Sequence, residues 1–99
     1  MVIFTLTLQP TYYDRGFFNV TTAYDPYVRQ REGPVHLIVG EDGEQTIEGH
    51  IDRRSNQDGT ARIHGGNRLR DWFHAHFQPM DTVAVDLSSP DLIQLMRGR

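Results

Sequence analysis

The chain has 99 residues, 37% of them hydrophobic, with nine glycines, no cysteine and a formal net charge of −3. That length fits one domain spanning residues 1–99, and that apolar content excludes a disordered tail or a fibre. The missing cysteine removes disulfides, thiolate zinc sites and cysteine nucleophiles together. All ten basic residues are arginine, so a Walker A loop, Schiff-base chemistry and the usual lysine of a two-carboxylate nuclease site are also excluded.

Residues 2–8 alternate Ile3, Thr5 and Thr7 against Phe4, Leu6 and Leu8, the period of a strand and not of a signal peptide. Gln9–Gly16 reads as a loop bounded by Pro10 and Gly16. A second strand is expected over 17–21, and a short helical turn around Pro26. Arg29–Pro34 reads as a loop, Val35–Val39 as a strand, and Asp42-Gly43 as a tight hairpin turn into a strand over 45–51. Arg53–Thr60 is a polar loop with a second Asp-Gly pair, so it joins two antiparallel strands, the next being 61–64. Gly65-Gly66 breaks that strand. Leu69, Trp72, Phe73 and Phe77 then follow the spacing of one apolar helix face, with Asn67 as N-cap and Pro79 as stop. Strands over 82–87 and 92–96, joined by a turn at 88–91, complete the chain. Seven short strands and one helix predict a small barrel. No run approaches about 18 apolar residues, so no membrane span is expected and a cytoplasmic location is the default.

The modest net charge conceals segregation. Residues 53–70 carry five arginines against Asp58 alone, a net of +4, which leaves −7 on the rest of the chain. Glu41–Glu48 holds four acids and no base. Charge separated in this way can give one strongly positive face on an acidic protein.

Side chains able to carry chemistry are few. His74 and His76 lie two apart on the helix, about 200° around it, so they cannot share a metal. His50 and His64 are single residues in strands, and no metal or other cofactor is expected. Asp52, Ser55 and His64 contain the residue types of a nucleophilic triad, without a Gly-x-Ser-x-Gly elbow. The Arg53–Arg62 segment is the stronger candidate. It concentrates side chains that read base edges, namely Arg for guanine, Asn and Gln for adenine and Asp for cytosine, with Ser55 and Thr60 suited to phosphates. Such a hairpin tip fits a major groove. Tyr12, Tyr13, Phe17 and Phe18 flank a second loop that contains Arg15.

Taken in order, Ile51-Asp-Arg-Arg-Ser-Asn-Gln-Asp-Gly-Thr-Ala-Arg-Ile63, Gly65-Gly66, Leu69-Arg-Asp-Trp-Phe73 and Asp81-Thr-Val-Ala-Val85 resemble the B3-like DNA-binding pseudobarrel domains. The similarity is greater to the branch that serves as target-recognition domains of restriction endonucleases, which shares Tyr13-Asp-Arg-Gly-Phe-Phe-Asn-Val20. It covers about Phe4 to Leu95. The resemblance implies a mainly β, seven-stranded open pseudobarrel with one or two short helices. It also implies two projecting loops that grip the major groove. The first would match Gln9–Gly16, with Tyr12, Tyr13 and Arg15. The second would match Arg53–Arg62, with Arg53, Arg54, Ser55, Asn56, Gln57, Asp58, Thr60 and Arg62. The expected activity is sequence-specific binding of double-stranded DNA, with any nuclease in another domain or subunit of a restriction-modification system. Two alternatives are a small metal-independent hydrolase using His and carboxylates, and a small barrel that binds protein or RNA.

Overall fold

The computed structural model describes residues 2–40, 43, 45–89 and 91–97. The elements in chain order are β1 (Ile3–Thr7), α1 (Pro10–Arg15), β2 (Phe17–Asn19), a 3-10 turn (Asp25–Tyr27), β3 (Gly33–Val39), β4 (Gln45–Asp52), β5 (Arg62–His64), α2 (Gly66–His76), β6 (Thr82–Ser89) and β7 (Leu92–Arg97). The seven strands form one sheet in the order β1-β6-β7-β3-β4-β5-β2. All neighbours are antiparallel except β3 and β7, so the sheet is mixed. It curls into a half-barrel whose two edges, β1 and β2, do not pair with each other.

Side-chain alternation sets which face is inside. Phe4 and Leu6 of β1, Val35, Leu37 and Val39 of β3, Ile47 and Ile51 of β4, Ile63 of β5, Val83 and Val85 of β6, and Ile93 and Leu95 of β7 all point into one core. The register aligns these layers: Leu37 sits beside Ile47 and Ile93, and Ile51 beside Ile63. Gly49 occupies an inward position of β4. A Cβ there would lie 2.9 Å from the His64 carbonyl oxygen and 3.0 Å from the Leu37 side chain, so only glycine lets the strand curl so tightly.

α2 contributes Leu69, Trp72, Phe73 and Phe77 to the core, as their spacing predicts. Its start differs from the expectation. Gly65, not Asn67, is the cap residue, and the helix begins at Gly66. The reason lies in the packing of the two helices. Gly16 ends α1 in the left-handed conformation (φ 71°), and its carbonyl accepts the N–H groups of Gly65 at 2.8 Å and Gly66 at 3.2 Å. A neighbour's backbone thus performs the capping that Asn67 was expected to provide.

The segment 9–16 is likewise not an open loop. Pro10 starts α1 at a position where its missing N–H costs nothing. β2 is also shorter than the expected 17–21. The Asp42-Gly43 turn, the acids Glu41, Asp42 and Glu44, and Pro90 of the 88–91 turn involve positions outside the described residues. Ser89 remains in strand β6, with a register shift between Asp86 and Ser89.

Candidate nucleic-acid interface

The connection from β4 to β5 forms the second predicted arm, residues 53–61. Its base is anchored by Arg53. That side chain is only 10% exposed, and all three of its guanidinium nitrogens have internal partners. Nη1 donates to both Asp25 carboxylate oxygens, at 3.0 and 2.9 Å, and to the Gly59 carbonyl. Nη2 donates to the Val28 and Arg29 carbonyls, and Nε to the latter as well. Asp25 also accepts the Ala61 N–H at 2.8 Å. Arg53 is therefore a strut between the arm and the 3-10 turn, with its guanidinium turned inward. Arginine suits this role because its planar fork donates in several fixed directions.

A second brace lies farther along. Asn19 Oδ1 accepts Asn56 Nδ2 and Arg62 Nε, each at 3.0 Å. Asn56 Oδ1 accepts Arg62 Nη2 at 3.2 Å, and Asn56 Nδ2 also donates to the Thr60 carbonyl. The Arg62 guanidinium rests over the Phe17 ring at 4.6 Å. Thr60 is buried, and its N–H and hydroxyl both donate to Asp58 Oδ1. Asn56, Thr60 and Arg62 thus shape the arm from within, and the exposed Asp58 braces Thr60.

What remains outward is a shorter set. Arg54 is 89% exposed and makes one ion pair, at 3.3 Å to Glu32. Gln57 is exposed and has no side-chain partner among the described residues. Ser55 is exposed, with its hydroxyl donated to Asp52 Oδ2. An open groove of about 700 Å³ separates the tip from the chain after β2 and is lined by Asn19, Thr21, Thr22, Ser55, Gln57 and Asp58 among others. Asn19, Thr21 and Thr22 were not identified from the sequence; the Phe-Asn-Val run that carries Asn19 offered only a strand signal.

The first arm is α1 packed on α2. Tyr13 donates its hydroxyl to the Phe77 carbonyl at 3.0 Å and stacks on His74 at 4.3 Å between ring centroids. His74 Nε2 donates to the Tyr13 carbonyl at 2.9 Å. Tyr12 meets the Phe17 ring edge-on. Both tyrosines are half-buried and serve first as packing groups, whereas Arg15 is exposed and has no side-chain partner among the described residues.

The three residues considered for a triad do meet. Asp52 Oδ2 accepts both the Ser55 hydroxyl and, at 3.4 Å, His64 Nε2. The carboxylate, not the imidazole, is in the middle. A serine whose proton already points to an aspartate is not presented to the histidine as base, so the order is wrong for nucleophilic activation. The Ser55 hydroxyl, and then the Arg54 backbone N–H, hold the Asp52 carboxyl well below the usual carboxylate range. The Thr60 hydroxyl and N–H lower Asp58 in the same way. Among the described residues no group of three or more histidines and carboxylates is placed to hold a metal ion. No helix among them is long and apolar enough to cross a membrane.

No family model and no curated protein matches the chain. Its structure is similar to that of the N-terminal domain of Helicobacter pylori LlaJI.R1, with a TM-score of 0.62 over 95% of this chain and 78% of that one. Only 8% of aligned residues are identical. The likeness is therefore one of fold.

Proposed function

We propose that this chain is a B3-like domain that binds double-stranded DNA in a sequence-specific way, as the target-recognition module of a restriction-type system. The observation that carries this reading is the construction of the second arm. Two internal braces, Asp25–Arg53 and Asn19–Asn56–Arg62, fix its backbone and leave Arg54, Ser55 and Gln57 outward. A hairpin tip held rigid, with an exposed guanidinium and an exposed amide, suits direct readout of base edges. Arg15 on the first arm adds a cation for the backbone.

The fold likeness to the N-terminal domain of LlaJI.R1 is compatible with the same reading. Fold alone does not carry function, so the arms bear the argument. In this reading the chain has no chemistry of its own, and a nuclease domain or subunit is the partner. A protein-binding alternative is less well supported. The exposed large apolar residues among those described, Ile3, Tyr27, Met80 and Leu92, lie on β1, the 3-10 turn, the α2–β6 connection and β7.

The test is selection from a random-sequence duplex pool followed by sequencing of the retained fraction. A recovered consensus supports the reading, and retention without any sequence preference removes the claim of specificity. No retention at low salt removes DNA binding altogether.

A further inference from the structure

Between the two arms runs a continuous strip of side chains on the outer face of the sheet. Tyr12 of α1 touches Phe17, whose ring centroid lies 5.8 Å from that of His64. His64 bonds Asp52, and Asp52 accepts the Arg54 and Ser55 N–H groups at the base of the second arm. His50 pairs directly across from His64 in the β4–β5 register, so the two imidazoles share this face. His50 also borders a shallow groove with Glu32, Asp52 and Arg54.

A duplex gripped by both arms must lie over this strip. At neutral pH the strip opposes it with charge. The groups that face the two histidines are Glu48 and Asp52 on β4, Arg62 on β5, His36 on β3, and Glu32 and Arg54 at the base of the arm. His36 is already paired with Glu48, and Arg54 with Glu32. Arg62 lies across from Asp52, so the three carboxylates exceed the two arginines by one in the path of a polyanion, and Asp52 is also hydrogen-bonded to His64. Protonation of His64 would convert the pair from a net negative to a neutral one, and protonation of His50 would add a positive charge beside it. Imidazole is the side chain whose charge changes between pH 5 and 8.

We propose that His64 and His50 form a third contact with the DNA phosphodiester backbone, between the arms, and make it as imidazolium ions. The inference rests on the DNA-binding reading. Its consequence is proton uptake on binding: the complex holds more protons than the free protein, so affinity rises as pH falls.

The test is titration of a fluorescent duplex of about 20 base pairs at constant ionic strength, at pH 6 and pH 8, with the full chain. Binding is expected to be roughly tenfold tighter at pH 6 for the wild type. His64→Gln should lose part of the wild-type pH dependence, and the double variant His64→Gln with His50→Gln should bind at both pH values as weakly as the wild type does at pH 8. His64→Arg carries a permanent charge and should bind at pH 8 nearly as tightly as the wild type at pH 6, with a flattened pH dependence. His76→Gln, at the end of α2 and outside the strip, should keep the wild-type dependence. Equal wild-type binding at the two pH values overturns the proposal and leaves the DNA-binding reading intact. An unchanged pH dependence in His64→Arg does the same. Absence of duplex binding at both pH values removes the reading itself.

Discussion

Two adjacent arginines with identical chemistry do different work because their surroundings differ. Arg53 is an internal strut that is 10% exposed, and Arg54 is a tip residue that is 89% exposed. Arg53→Ala would strand the largely buried Asp25 carboxylate and should cost about 3 kcal/mol of stability, read as a shift in the denaturant midpoint. Arg54→Ala should leave that midpoint unchanged. It should weaken binding to the preferred duplex by about 1–3 kcal/mol and relax the preference at one base pair. If Arg54→Ala lowered stability and Arg53→Ala did not, the assignment would be reversed. Asn19 acts on the same arm from β2. Asn19→Ala removes an acceptor that holds both Asn56 and Arg62, so discrimination between duplexes should fall more than affinity for any one of them. Asn19→Asp keeps the acceptor and should restore discrimination; if it does not, the brace plays no part in reading. The sequence could identify the Arg53–Arg62 segment as unusual but could not divide its side chains into inward and outward sets. That division depends on Asp25 and Asn19, which are 28 and 37 residues away in sequence from Arg53 and Asn56.

The elements repeat this pattern of local signals read correctly and distant partners missed. Alternation located β1, β-propensity and turn signals located the other strands, and the Leu69–Phe77 spacing located α2, because each signal lies within a few residues. The segment 9–16 reads as a loop because Pro10 and Gly16 punctuate it. In the fold those residues start and stop α1, and its carbonyl at Gly16 caps α2. The parallel pairing of β3 with β7 has no local signal at all. Gly16 is where two elements meet most closely. A Cβ there would lie 2.2 Å from the Gly66 carbonyl oxygen and 2.9 Å from the Arg70 nitrogen, at a φ of +71°. Gly16→Ala should destabilise the fold by at least about 2 kcal/mol, part from the left-handed backbone and the rest from the clash. A milder loss in a urea titration would mean that α1 can move off α2. Acid bears on the second arm. Asp52 has a folded pKa below its unfolded one, so its bonds to Ser55 and Arg54 stabilise the arm above the ordinary carboxylate pKa. That contribution is lost as pH falls through the folded value. The Arg54 and Ser55 N–H groups should therefore stay protected from exchange as pH passes through about 4, where ordinary carboxyls titrate. Loss of protection near pH 4 would contradict the bonding seen at Asp52.

The whole molecule carries a net charge of −3 yet is read here as a partner of a polyanion. The conflict is resolved by placement and by how much of the positive charge is already used. The net charge of +4 on residues 53–70 together with Arg15 suggests about five phosphate contacts and a log–log salt slope of roughly −4 to −5. The fold reduces that number. Arg53 is saturated by Asp25 and backbone carbonyls, and Arg70 pairs with Asp71. Arg15 and Arg68 remain exposed with no side-chain partner among the described residues, Arg54 has one solvent-exposed ion pair, and Arg62 offers one face over Phe17. About three of these can reach a duplex held between the arms, which gives a slope of roughly −3 at about −0.9 for each neutralised phosphate. The measurement belongs at pH 8, above the ordinary range of an imidazole. Repeating it at pH 6 should steepen the slope by roughly one to two, because each imidazolium that meets a phosphate releases a further counterion. A slope of −5 at pH 8 would require cations that the fold holds inside, Arg53 first, to turn outward on binding. A slope near zero would mean that phosphates are not contacted at all.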